Sequence, residues 1–140
     1  MPGGPACSQA AGDSNHVNKK RILLVDDEPA LTRMMRLNLE QTGRYEVREE
    51  NRGASALAAA REFMPHLIFL DVMMPDMGGD EVAEALDEDP MLQRITYVFL
   101  TAIVTKRETG TGAAEISGKT FLAKPVRRDE LLSVVEQLIG

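Results

Sequence analysis

The sequence predicts a single doubly wound α/β domain, a parallel sheet covered by helices on both faces. Three observations carry this. Short apolar runs recur at residues 21–26 (RILLVD), 66–71 (HLIFLD), 95–101 (ITYVFLT) and 120–124 (TFLAK). A strand of a parallel sheet is buried on both faces, so it reads as a continuous apolar run rather than an alternating one. Segments of helical spacing separate the runs, and such crossovers return the chain parallel to its previous strand. The length of 140 residues suits one such domain.

Taken in order, residues 1–18 (MPGGPACSQAAGDSNHVN) are small, polar and without apolar periodicity. They are expected to be a disordered tail, leaving 19–140 as the folded domain. The first strand ends in Asp26. Pro29 then suits a first helical turn, and Leu31, Met34, Met35, Leu37 and Leu39 recur at roughly helical spacing up to Gly43, a plausible stop. Residues 45–49 (YEVRE) alternate like a strand exposed on one face. Residues 54–63 (ASALAAAREF) are strong helix formers. The strand ending at Asp71 runs into VMMPDMGG, which is dense in turn residues. A helix is predicted over 80–87, a strand to Thr101, and a further helix over 106–117. Gly110 and Gly112 weaken that helix by about 1 kcal/mol each relative to Ala. A last strand precedes an amphipathic helix over 128–139, with Leu131, Leu132, Val135 and Leu138 on one side.

Composition narrows the function. A formal net charge of −6 offers no basic excess to displace counterions from a polyanion, so direct nucleic-acid binding is not expected. The single cysteine, Cys7, cannot form an internal disulfide, which points to a reducing compartment and a cytoplasmic location. There is neither a signal-peptide pattern nor an apolar stretch of membrane-spanning length. His16 in the tail and His66 before a strand read as incidental and structural.

Polar residues gather where the apolar strands stop: Asp26 and Asp27, Asp71, Thr101 and Lys124. Open α/β sheets place their sites outside the carboxyl ends of strands, where strand order reverses. Three carboxylates together repel, and a metal ion or fixed cation relieves them. Oxygen ligands of this kind suit a hard ion such as Mg²⁺. Lys124 supplies a fixed charge and Thr101 a neutral donor. The set suits holding a phosphoryl group better than acid–base hydrolysis of sugars.

ILLVDDE, LIFLDVMMPDMGG, FLTA and FLAKP, in that order and spacing, resemble the response-regulator receiver domain of two-component signalling over roughly residues 20–140. The resemblance implies a flavodoxin-like fold with strand order 2-1-3-4-5. It implies that Asp71 is the phosphoacceptor, with Mg²⁺ (or Mn²⁺ as a substitute) held by Asp27, Asp71 and the Met73 main-chain carbonyl, and by Asp26 through water. Lys124, Thr101 and the Ala102 main-chain N–H would bind the phosphoryl oxygens. Thr101 and Phe121 would be the switch pair, and Lys124-Pro125 a cis peptide. Met73 and Ile103 stand at positions that affect how fast phosphate is lost. The implied partners are a histidine kinase or histidine phosphotransfer protein, and an output domain or target protein. The family's surface of fourth helix, fifth strand and fifth helix would change state, although Gly110 and Gly112 put its helix in doubt. Autophosphorylation and autodephosphorylation are implied, without turnover in the ordinary enzymatic sense.

Two other classes fit less well. One is a phosphate-independent interaction module on the same fold, from which loss of part of the acidic set is expected. The other is a Mg²⁺-dependent phosphohydrolase acting through an aspartyl phosphate. Haloacid-dehalogenase-type enzymes carry a second Asp two residues after the nucleophile, where Met73 stands here.

Overall fold

The computed structural model describes residues 19–102, 113–116 and 118–140. The tail with Cys7 and His16, together with Ile103, Gly110 and Gly112, lies outside the described residues. The elements are β1 (Lys20–Val25), α1 (Pro29–Glu40), β2 (Tyr45–Glu50), a 3₁₀ turn (Gly53–Ser55) leading into α2 (Ala56–Phe63), β3 (Leu67–Asp71), α3 (Gly79–Glu88), β4 (Thr96–Thr101), β5 (Ala113–Ile116), β6 (Lys119–Ala123) and α4 (Arg128–Ile139). The sheet order is β2-β1-β3-β4-β6-β5. The first five of these strands pair in parallel, which is the predicted 2-1-3-4-5 order.

Successive side chains of a strand point to opposite faces, and here both faces are dry. Ile22 and Leu24 enter a core with Phe69, Leu100, Met35 and Leu39 of α1, and Leu131 and Val135 of α4. Leu23 and Val25 enter the opposite core with Ile68, Leu70, Ala59 of α2, and Val82 and Leu86 of α3. Burying each such large aliphatic contributes roughly 1.5–3 kcal/mol. The central strands β1 and β3 therefore anchor the fold, and their carboxyl ends form a rigid platform.

Two expectations need correction. Residues 113–116 are not helical: β5 runs antiparallel to β6, from Ala113 opposite Leu122 to Ile116 opposite Lys119. Gly118 has φ +78, a left-handed conformation that glycine adopts without steric cost, and it stands directly before Lys119. The turn signal of Gly118 thus wins over the weak helical pattern, and β5 covers an edge of β6 that would otherwise present unpaired backbone groups. Four α-helices occur among the described residues, and the remainder of the helix predicted over 106–117, residues 106–112 and 117, lies outside them. The apolar stripe of α1 is also displaced: Leu37 is 51% exposed while Thr32 is fully buried. The buried threonine is accommodated by hydrogen bonds rather than by apolar packing.

Candidate functional site

Parallel strands end on one side of the sheet, which brings together residues far apart in the chain. Asp26 follows the last residue of β1, Asp71 closes β3, Thr101 closes β4 and Lys124 follows β6. Oxygens of Asp26, Asp27 and Asp71 all lie within 4.8 Å of one another. Asp26 is fully buried and Asp71 nearly so, whereas Asp27 is exposed. Lys124 Nζ stands 2.9 Å from Asp26 Oδ2, 3.2 Å from Glu28 Oε1 and 3.4 Å from Asp71 Oδ1. The Lys124–Pro125 bond is cis.

Local structure holds each group. Asp26 Oδ1 accepts the Glu28 N–H at 2.9 Å, just ahead of Pro29 and α1. Asp71 Oδ1 accepts the Met73 N–H at 3.2 Å, which turns the chain out of β3. The Val72 N–H donates to Leu100 O at 3.1 Å and Gly79 N–H to Val72 O at 3.2 Å, so α3 starts against the end of β3. A Cβ at Gly79 would overlap the Asp71 carbonyl. The Lys124 N–H donates to Thr101 O at 2.9 Å, which joins the ends of β4 and β6. Thr101 is buried, and Ala102 beside it is exposed.

Charge is unbalanced here. Burial pushes the Asp26 carboxyl up, and the Lys124 ammonium opposes that shift. Burial, and then the charge of Asp26, hold Asp71 up at about 6. Burial would lower the Lys124 ammonium, but the pairing with Asp26 and Asp71 outweighs it and raises it. Among the described residues, one ammonium thus serves three carboxylates, with Asp27 as a fourth nearby. Asp26 Oδ2 is buried, and the Lys124 ammonium approaches it at 2.9 Å. Excess negative charge and an oxygen able to accept further donors suit a hydrated hard dication.

Phe121 stands apart from this cluster. It is half-buried in β6 and stacks on Phe99 with ring centroids 5.2 Å apart, and Tyr97 meets Phe99 edge-on at 5.6 Å. Met73 projects to solvent, 72% exposed. His66 lies before β3, at the other end of that strand from Asp71, where its Nδ1 accepts the Arg21 N–H at 3.0 Å.

Three contributors carry no assignment from the sequence. Glu28 is a partner of Lys124, and its position after the Asp pair was a signal available to a reader. Asp76 accepts N–H bonds from Gly53 at 3.2 Å and Ala54 at 2.9 Å, tying the loop after β3 to the turn before α2. Asn51 donates to the main-chain oxygen of Asp26 at 2.8 Å, which no local pattern announces.

The response regulator receiver domain family matches residues 22–136. The chain is 33% identical over 119 residues to the DNA-binding dual master transcriptional regulator RpaA of Synechocystis sp., covering 85% of this chain and 48% of that protein. It is 37% identical over 118 residues to the response regulator PleD of Caulobacter vibrioides, covering 84% of this chain and 26% of that protein. The chain therefore spans about half or less of these relatives. The chemotaxis protein CheY4 of Vibrio cholerae superposes with a TM-score of 0.73 at 28% identity, over 86% of this chain and 99% of that one. Among the described residues, no helix is long and apolar enough to cross a membrane.

Proposed function

The chain belongs to the response regulator receiver domain family of two-component systems, and from that premise we propose that Asp71 accepts a phosphoryl group with the help of a bound Mg²⁺. The observation that carries the proposal is the placement of Asp71 within 4.8 Å of Asp26 and Asp27, with Lys124 3.4 Å from its Oδ1. Asp27, Asp71 and the Met73 carbonyl would hold the ion directly, and Asp26 through water. The ion, when bound, supplies positive charge for the oxygens around phosphorus.

In the transfer, an Asp71 carboxylate oxygen forms a bond to phosphorus as the bond from phosphorus to the donor breaks. The donor, an imidazole nitrogen of a histidine kinase or phosphotransfer protein, leaves with the electron pair. The Asp71 carboxyl at about 6 is mostly ionised at pH 7 and available as a nucleophile. Lys124, the Thr101 hydroxyl and the Ala102 N–H would donate to the phosphoryl oxygens. For Lys124 this means exchanging part of its pairing with Asp26 and Glu28 for the incoming charge. Drawing Thr101 inward would alter packing near Phe121 and bias the surface of β6 and α4 that docks an output domain or target.

Incubation with acetyl phosphate and Mg²⁺, followed by intact-mass measurement, tests this. A single phosphoryl adduct, absent in Asp71→Asn and without Mg²⁺, is expected. Continuous phosphate release from small phosphoesters would instead identify a hydrolase, and the absence of any adduct a phosphate-independent interaction module.

A further inference from the structure

Asp26 lies one residue beyond the last main-chain pairing of β1 with β2, that of Val25 with Glu50. Its N–H still reaches Glu50 O at 3.1 Å. The donor for its carbonyl is a side chain: Asn51 Nδ2 donates to Asp26 O at 2.8 Å and to Thr32 Oγ1 at 3.0 Å. A carbonyl only accepts, so the amide nitrogen must face it. The buried Thr32 hydroxyl is 2.8 Å from Glu49 Oε1, to which it donates, and Arg36 holds Glu49 from outside at 3.3 Å. A hydroxyl that donates to a carboxylate is polarised into a better acceptor, so the chain orients Asn51 from behind.

Resting on the reading of Asp27 as an ion ligand, we infer that Asn51, oriented by Thr32, is a positioning residue for the Mg²⁺ site. The peptide group joining Asp26 to Asp27 is planar. Holding its oxygen fixes the plane that carries the Asp27 nitrogen and Cα, and so the direction in which this exposed carboxylate starts. Without Asn51, the contact left to the Asp26 backbone from β2 among the described residues is that with Glu50. Groups that orient ligands in this way contribute about 10- to 100-fold in metal affinity.

Calorimetric titration of the full chain with Mg²⁺, alongside thermal melts in EDTA, decides the point. Asn51→Ala and Thr32→Val should each weaken binding by about 10-fold or more, while Thr32→Ser, which keeps the hydroxyl, retains wild-type affinity. A lowered melting temperature in EDTA with unchanged Mg²⁺ affinity would reduce Asn51 to a structural role and overturn the inference. Should Asn51→Ala fail to fold, the contrast between Thr32→Val and Thr32→Ser decides in the same way. Wild-type protein that binds no Mg²⁺ would refute the proposed function itself and this inference with it. Wild-type binding left intact in the variants refutes the inference alone.

Discussion

Lys124 approaches Asp26 more closely than it approaches Asp71, 2.9 Å against 3.4 Å. The lysine of this site is thus committed first to the fully buried carboxylate. It neutralises the group that water cannot reach before it serves the proposed nucleophile.

Removing that ammonium should leave buried negative charge uncompensated. Breaking a buried pair typically costs about 3–5 kcal/mol, and the residual exposure of Lys124 places Lys124→Met at the lower end of that range. Urea unfolding in EDTA at pH 7 measures the loss. Saturating Mg²⁺ should recover much of it, and equal losses with and without the ion would contradict the charge argument.

The raised Asp71 carboxyl makes stability depend on pH. Its folded value of about 6 lies above the ordinary 3.8, so the folded state binds the proton more tightly than the unfolded chain does. The contribution is fully present below 3.8 and is lost as pH rises through 6, a difference on the order of 3 kcal/mol. His66, held low by burial and by Arg21 and Lys20, slopes the opposite way. The informative quantity is therefore wild type minus Asp71→Asn, from urea midpoints in EDTA between pH 4 and 7.5. Asp71→Asn should be the more stable protein at pH 7, and matching curves would show that Asp71 is not perturbed.

Met73 is apolar and stands beside Asp71, where an amide could orient a water molecule toward an acyl phosphate. Met73→Asn should lose its phosphoryl group several-fold faster than the wild type, followed by intact mass after removal of acetyl phosphate. The side chain is largely exposed, so any shielding has to come from its position over the loaded site. Equal or slower loss in the variant would end that idea.

Gly79 admits no side chain without moving the end of β3, because a Cβ would overlap the Asp71 carbonyl. Overpacking of this kind costs about 1–3 kcal/mol. Gly79→Ala should lower the melting temperature and also weaken Mg²⁺ binding, since the displaced backbone carries a proposed ligand. At Gly43 a Cβ meets nothing within 4 Å, but φ is +74. Gly43→Ala should therefore cost stability through backbone strain alone and leave Mg²⁺ binding unchanged.

Much of this architecture is legible in local pattern. Apolar runs identified four of the five parallel strands and alternation identified β2. The polar residues at the ends of β1, β3, β4 and β6 converge because parallel strands all finish on one side of a sheet. The strand over 113–116 was hidden, since its pairing with β6 depends on a turn at Gly118 that competes with a weak helical signal. The exchange of Leu37 for Thr32 was hidden too, because periodicity cannot register a hydroxyl that finds a carboxylate 17 residues away.

By itself, the amino-acid order determined which segments are strands and helices and which side-chain chemistries stand at the strand ends, because those properties are set within a few neighbouring residues. Only the tertiary structure decided how one ammonium is divided among Asp26, Glu28 and Asp71, that the Asp71 carboxyl is lifted, and that Asn51 donates to the Asp26 carbonyl. Those outcomes depend on distances between groups remote in the chain and on where water is excluded, and both exist only once the sheet and its helices have packed.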